Sequence, residues 1–126
     1  MNVWTNILLV FVGGGCGSLG RWGLSVWLKR YAATLCGLPV HTLCANLLGC
    51  VIIGFLMGWL SRHSNAELSL LLVTGFCGGF TTFSTFSLES FEMMRSGQTG
   101  LAVVYIAISL IVCVAAVVGG SMLSKI

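Results

Sequence analysis

Charge is scarce in this chain. Its 126 residues include six Lys or Arg, three Glu and no Asp, so charged residues make up 7% of the sequence whereas hydrophobic residues make up 57%. A soluble domain carries about 25% charged residues, so this composition cannot build a water-facing surface. The high share of hydrophobic residues excludes intrinsic disorder, which requires low hydrophobicity. The shortage of charge excludes nucleic-acid binding, which requires a basic face. The composition indicates an integral membrane protein with almost nothing outside the lipid bilayer.

Breaks in the apolar pattern are also few, and Pro39 is the only proline. The first eleven residues contain no Lys or Arg, so we expect a mature membrane helix there and not a cleaved secretory signal. A bilayer-spanning helix takes about 20 apolar residues. The sequence therefore predicts an all-α, single-domain membrane protein with four spans, at about 4–27, 39–60, 68–91 and 100–123. Because the connections are short, we expect neighbouring spans to be antiparallel.

The cysteines lack the spacing that is typical of a metal or redox site, since no pair follows the Cys-x2-Cys pattern. Most of them lie inside apolar stretches, so we expect buried thiols that pack as small hydrophobic groups. We expect neither structural disulfides nor a metal–thiolate site. The six cysteines are Cys16, Cys36, Cys44, Cys50, Cys77 and Cys113.

The loop charges give almost no signal for orientation in the membrane. Four spans place Lys29, Arg30 and Arg95 on one side, and Arg62 and Lys125 on the other. The positive-inside rule requires a clear excess of Lys and Arg on the cytoplasmic side, and three against two is barely an excess. Either this weak bias selects one orientation, or the chain inserts both ways and pairs with an inverted copy. Because a single small bundle leaves little room for a transport path, we favour dual topology.

Small residues recur at a spacing of four in three spans, which predicts close helix packing and an oligomer. The stripes are Gly13/Gly17 in the first span, Cys50/Gly54/Gly58 in the second, and Ala115/Gly119 with Ala116/Gly120 in the fourth.

The third span departs from an ordinary membrane helix at residues 75–87, which contain three glycines and five hydroxyl side chains. The pair Gly78–Gly79 followed by Thr81–Thr82 is a poor helix interior. A break here frees backbone carbonyls at membrane depth, which protein groups or a bound ion must satisfy. The alternative is a continuous helix in which the glycines serve packing.

Polar stripes cross three of the spans. Thr42 and Asn46 lie four residues apart in the second span, so they share one helix face. Polar groups on an otherwise apolar helix should face an interior or a pathway. Tyr105 and Ser109 form the same pattern in the fourth span, and in the third span Ser84 and Thr85 lie between Phe83 and Phe86.

The charge inventory favours an anion over a cation. Glu89 and Glu92 lie only at the end of the third span, whereas Arg21 is embedded in the first. A buried arginine is costly unless it faces water or a partner. Aromatic rings have positive edges, so Phe83 and Phe86 are candidate contacts for a small anion.

These residues resemble the CrcB/Fluc family of fluoride channels along essentially the whole chain. Three stretches are similar: residues 13–22, beginning Gly-Gly-Gly-Cys-Gly; residues 42–49, Thr-Leu-Cys-Ala-Asn-Leu-Leu-Gly; and residues 75–89. The run from Gly78 to Glu89, with its repeated Thr, Phe and Ser, is the most specific of the three.

The resemblance implies a fluoride-selective channel that lets cytoplasmic fluoride leave a microbial cell across its inner membrane. It implies a head-to-tail homodimer with two pores and a central sodium ion bound by backbone carbonyls, which by position belong to Gly78 and Thr81. Arg21 resembles an arginine near the aqueous vestibule. The resemblance places eight residues along the pore: Phe83, Phe86, Asn46, Thr42, Tyr105, Ser109, Ser84 and Thr85.

Two other classes of membrane protein compete with this interpretation. A small multidrug antiporter requires a membrane-embedded carboxylate, which the first span lacks. A non-transporting scaffold accounts for the small-residue stripes but leaves the polar stripes without a purpose. An enzyme is not supported, because the sequence contains no paired nucleophile and base and no cofactor motif.

Overall fold

The computed structural model describes residues 2–31 and 37–126, and within them it contains four helical spans that are long and apolar enough to cross a membrane. The first two are continuous helices, α1 (Val3–Tyr31) and α2 (Val40–His63). The third is composite, and the fourth is α6 (Thr99–Leu123). This confirms the prediction of an all-helical membrane protein. Because the spans alternate in direction, α2 and α6 run parallel.

The third span is built from several helical pieces. It begins with α3 (Ala66–Leu68), continues as a π-helical segment (Ser69–Cys77) and ends its first half with α4 (Gly78–Phe80). Thr81 and Thr82 are extended, and α5 (Phe83–Arg95) then completes the span. The break therefore lies after the glycine pair, and Gly78 and Gly79 themselves are helical. This agrees with the predicted break in the run from Gly78 to Thr82, and it places the break at the threonines of that run.

Gly79, unlike Gly78, serves close packing of α1 against the third span, since no atom lies within 4 Å of the Cβ position of Gly78. A Cβ atom on Gly79 would overlap the Gly14 carbonyl, and one on Gly17 would overlap the Phe76 carbonyl. Gly13 and Gly75 approach each other in the same way, with the Cα of Gly13 only 2.9 Å from the position of a Gly75 Cβ. Backbone-to-backbone contact of this kind requires glycine on the facing surfaces.

A second glycine contact joins α2 to α6. A Cβ atom on Gly54 would overlap the Val117 carbonyl, and one on Gly120 would overlap the Val51 carbonyl. Gly119, in contrast, has no atom within 4 Å of its Cβ position. The predicted stripes therefore pack through Gly54 and Gly120, while Gly119 faces away.

The cysteines differ from the expectation of uniform burial. Only Cys77 is buried among the five that the structure describes, and Cys16 is exposed on α1. An apolar position in a membrane helix can face lipid as readily as the bundle, so hydropathy alone does not locate a thiol inside. Cys36 lies outside the described residues.

We predict that Gly17→Ala destabilises the protein, because the added methyl group meets the Phe76 carbonyl and the Phe80 amide. Overpacking costs about 1–3 kcal/mol. Gly15→Ala is a matched control on the same helix, since nothing lies within 4 Å of its Cβ position. Thermal unfolding in detergent should give a lower Tm for Gly17→Ala and no loss for Gly15→Ala. Equal Tm values for the two variants would contradict the packing described here.

Candidate pore and helix break

The side chain of Asn46 clamps the break in the third span. Thr82 N donates to Asn46 Oδ1 at 2.7 Å, and Asn46 Nδ2 donates to the Thr82 carbonyl at 3.2 Å. In a continuous helix Thr82 N would instead donate to the carbonyl of Gly78. One amide side chain on α2 thus pairs with both backbone polar groups of Thr82, which keeps the break satisfied at membrane depth.

The carbonyls of Gly78 and Thr81 are among those that the break leaves without their helical donors. The Gly78 carbonyl lacks its helical donor because Thr82 N donates to Asn46 Oδ1 instead. Likewise, Thr85 N donates to Thr82 Oγ1 at 3.2 Å, and not to the carbonyl of Thr81. Gly78 and Thr81 are the two residues whose carbonyls the sequence suggested as sodium ligands. Unpaired carbonyl oxygens at a broken membrane helix are the kind of ligand that binds a sodium ion.

Arg21 approaches the break from the other side. Its Nε donates to the Gly79 carbonyl at 3.2 Å, and Ser18 Oγ donates to the same oxygen at 3.4 Å. The half-buried arginine therefore has a defined partner, and it places positive charge beside the break.

A hydroxyl cluster begins the helix that follows the break. Thr82 Oγ1 donates to Thr85 Oγ1 at 2.9 Å and lies 3.3 Å from Ser84 Oγ. Thr82 is also the N-cap of α5, a position that favours threonine because its oxygen accepts from a free amide. The cluster concentrates three hydroxyl groups at the N-terminal end of α5, where the helix dipole favours negative charge.

The two phenylalanines lie on one face of α5, as predicted. Their ring centroids are 5.7 Å apart with planes tilted by 45°, and Phe86 lies 5.2 Å from the Tyr105 ring at 52°. Phe86 is 9% exposed, whereas Phe83 is 77% exposed. Tilted rings turn their positive edges toward neighbouring groups.

Both rings line an open groove of about 400 Å³ between α2, the break, α5 and α6. Besides the two phenylalanines, its lining includes Asn46, Cys50, Thr81, Thr82, Ser109 and Cys113. Ser109 Oγ is buried and has no hydrogen-bond partner among the residues that the structure describes. A buried hydroxyl usually finds a partner, so Ser109 is a candidate donor to a ligand in the groove.

At one end of the two polar stripes, Glu89 joins α2 to α6. Thr42 Oγ1 donates to Glu89 Oε1 at 2.7 Å, and Tyr105 OH donates to Oε2 at 2.9 Å. His41 Nε2 lies 3.2 Å from Oε1. The carboxylate thus orders Thr42 and Tyr105, which are almost fully buried.

The structure brings most of the predicted site residues into two adjoining groups. Asn46, Phe83, Phe86 and Ser109 line the groove, while Thr42 and Tyr105 meet at Glu89. Ser84 and Thr85 belong to the hydroxyl cluster, and Arg21 lies at the break. The roles of the individual residues in the pore, the vestibule and the sodium site remain predictions.

Sequence reasoning gave no individual site role to four contributors: the capping residue Thr82, the acceptor Glu89, and the groove residues Cys50 and Cys113. The spacing contained a signal for the cysteines, because Cys50 lies four residues after Asn46 and Cys113 four after Ser109. Glu89 lies three residues after Phe86, so it shares a helix face with that ring.

Comparison with known proteins gives a family match over most of the chain. Residues 8–121 match the model of the family described as CrcB-like protein, Camphor Resistance (CrcB). A protein of Agrobacterium fabrum named fluoride-specific ion channel FluC is 43% identical over 122 residues, which cover 95% of this chain and 96% of that protein. Proteins with the same name from Escherichia fergusonii and Salmonella arizonae are each 44% identical over 107 residues, covering 83% of this chain and 82% of theirs. With four apolar spans and matches of this extent, the chain is a multi-pass membrane protein and belongs to the CrcB family.

Proposed function

We propose that this protein is a fluoride-selective channel that lets cytoplasmic fluoride leave a bacterial cell passively through its inner membrane. The groove that brings together Asn46, Ser109 and the two phenylalanine rings is the observation that carries the proposal. Relatives named fluoride-specific ion channel support the choice of ion. A channel catalyses no reaction, so no residue is assigned a catalytic role.

The groove has the chemistry that a small, strongly hydrated anion requires. Such an ion must exchange water for several close donors, and it must also be able to leave again. The Ser109 hydroxyl, the Asn46 amide and the edges of two phenylalanine rings supply neutral donors along the groove. No Lys or Arg is among the groove's lining residues, so a fixed charge does not trap the ion there.

A growth assay tests this function in cells. A bacterium that lacks its own fluoride exporter should grow in fluoride-containing medium when it expresses this chain, and should stop growing when it carries an empty vector. Equal inhibition of the two strains, with the protein present in the membrane, would contradict the proposal.

We further propose that two copies assemble as an antiparallel homodimer. In a single chain the groove is open, Phe83 is 77% exposed and Ser84 is also exposed. Hydroxyl groups that face hydrocarbon are costly, so a second chain that covers this side would complete the pore. The near balance of loop charges supports insertion in both orientations.

Dual topology predicts that a tag after Ile126 is found on both sides of the membrane. Adding two lysines to the loop after α5, through Ser96→Lys and Gln98→Lys, raises the basic residues on that side from three to five against two. The positive-inside rule then fixes one orientation, and fluoride conduction should fall because inverted partners are missing. A tag that is found on only one side of the unmodified protein would contradict dual topology.

A sodium ion at the centre of this dimer is the third part of the proposal. The carbonyls of Gly78 and Thr81, which lack their helical donors, would bind it. The ion would supply fixed positive charge beside the break. Within the described residues, no group of three or more His, Cys, Asp or Glu is placed to hold a metal, so the carbonyls are the better candidates.

We predict that sodium stabilises the purified protein. A ligand that binds only the folded state raises Tm as its concentration increases. Unfolding should therefore occur at a higher temperature in sodium chloride than in N-methylglucamine chloride at equal ionic strength. Identical Tm values over a wide concentration range would contradict the sodium site.

A further inference from the structure

Two thiols, those of Cys50 and Cys113, lie next to each other in the groove lining, one helical turn after Asn46 and Ser109. Helices α2 and α6 run parallel, and residues at the same level of the two helices differ by 63 in residue number. The pairs are Thr42 and Tyr105, Asn46 and Ser109, Cys50 and Cys113, and Gly54 and Val117. The first pair shares the Glu89 carboxylate, and the last is in backbone contact. The cysteine pair lies between these two fixed contacts. The Cys50 and Cys113 thiols are accordingly direct neighbours.

Both thiols belong to the groove lining. Cys50 and Cys113 border the same groove as Phe83, Phe86 and Ser109, and each is half-buried. Cys77 is buried and does not line the groove. The accessible pair therefore consists of two sulfur atoms from two adjacent helices, α2 and α6.

In contrast to the expectation from cysteine spacing alone, we propose that Cys50 and Cys113 form a two-thiol site for soft metal ions that coordinate linearly, and that an ion bound there blocks the groove. This inference rests on the proposed function only for the block, since the binding site stands on the thiol pair alone. Thiolate sulfur is the ligand that soft metals prefer, and two ligands satisfy a linear ion.

The chemistry favours a divalent ion such as Hg²⁺. Each thiol gives up its proton and forms one sulfur–metal bond, so two protons leave for each ion bound. No oxidant or reductant is involved. Two thiolates and one divalent cation form a neutral complex, which avoids the cost of net charge at membrane depth. A monovalent ion would leave one negative charge in an apolar groove.

The test uses mercuric chloride and two readouts on the full chain. The reference protein carries Cys16→Ser, Cys36→Ser and Cys44→Ser, which removes thiols outside the groove. Proton release on titration, together with the ultraviolet thiolate-to-mercury absorption, measures binding in detergent. Fluoride efflux from liposomes, expressed as a fraction of each variant's own rate without mercury, measures the block.

We expect about two protons released per ion and at least a tenfold loss of efflux in the reference protein, with recovery when a dithiol chelator is added. Adding Cys50→Ser or Cys113→Ser should reduce proton release to about one per ion and prevent most of the block. Adding Cys77→Ser is the matched control and should keep the paired response. Cys50→Ala and Cys113→Ala repeat the test if either serine variant fails to fold.

Three results would overturn part of this inference. One proton per ion in the reference protein means that the thiols bind separately. Paired binding with undiminished efflux means that the site lies outside the path. A block that needs Cys77 as much as Cys50 places the site elsewhere. If the reference protein conducts no fluoride without mercury, the proposed function fails, while proton release still decides whether the two-thiol site exists.

Discussion

Replacing either Phe83 or Phe86 by isoleucine is expected to reduce fluoride efflux from liposomes by at least about tenfold, which corresponds to about 1.4 kcal/mol in a barrier. Isoleucine keeps the surface apolar but removes the positive ring edge. Folding should survive, because comparable hydrophobic swaps usually cost under about 1.5 kcal/mol. Of the two, Phe86→Ile should lower Tm more, since Phe86 is buried against Tyr105 whereas Phe83 is mostly exposed.

Phe91→Ile provides the control for the two ring variants. Phe91 lies on the same helix, α5, is 55% exposed and does not line the groove. It should conduct at the rate of the unmodified protein. If Phe83→Ile and Phe86→Ile also conduct at that rate, the rings serve packing only and the pore lies on another face.

Asn46→Ala is expected to have the second large effect, because it removes both hydrogen bonds that hold the break. Each buried polar group left without a partner costs about 1–3 kcal/mol, and here the Thr82 amide and carbonyl are both affected. We expect a lower Tm together with a loss of fluoride efflux greater than about tenfold, since the break and the groove share this side chain.

Asn46→Asp separates the two roles of this side chain. Aspartate keeps an oxygen that accepts from Thr82 N, so the break retains one of its two bonds and stability should fall less than in Asn46→Ala. A carboxylate in the groove repels an anion, so efflux should still be lost. Asn65→Ala is the matched control: Asn65 caps α3 by accepting from Leu68 N at 3.0 Å and does not line the groove. It should lose about 1 kcal/mol of stability and none of its conduction. Efflux at the unmodified rate in Asn46→Ala would contradict the assignment.

Hydropathy predicted the helical spans because length and polarity leave few choices in a bilayer. The position of the break was less predictable. Gly78 and Gly79 have low helix propensity, yet both are helical, and Gly79 allows the backbone of α1 to approach closely at Gly14. The break itself falls at Thr81 and Thr82, where Asn46 from another helix satisfies the displaced backbone. A single sequence does not distinguish glycine for packing from glycine for a break, because both reduce side-chain bulk.

Glu89 shows the same limit for polar residues. The sequence placed it at the end of the third span and gave it no individual role. In the structure it accepts from Thr42 and Tyr105, which lie 47 and 16 residues away in the chain. The two stripes were visible as spacings of four, but their meeting point depends on how α2, α5 and α6 converge. Tertiary contacts of this kind have no local signal.

The most direct test of the central claim, that the groove between α2, α5 and α6 conducts fluoride, is ion efflux from liposomes that contain the purified protein. Matched liposomes are loaded with potassium fluoride or potassium chloride, and valinomycin provides the compensating potassium current. We expect rapid fluoride release, chloride release no faster than from protein-free liposomes, and loss of fluoride release in Phe83→Ile and Phe86→Ile but not in Phe91→Ile. Fluoride and chloride leaving at the same rate, or fluoride leaving no faster than from protein-free liposomes, would contradict it.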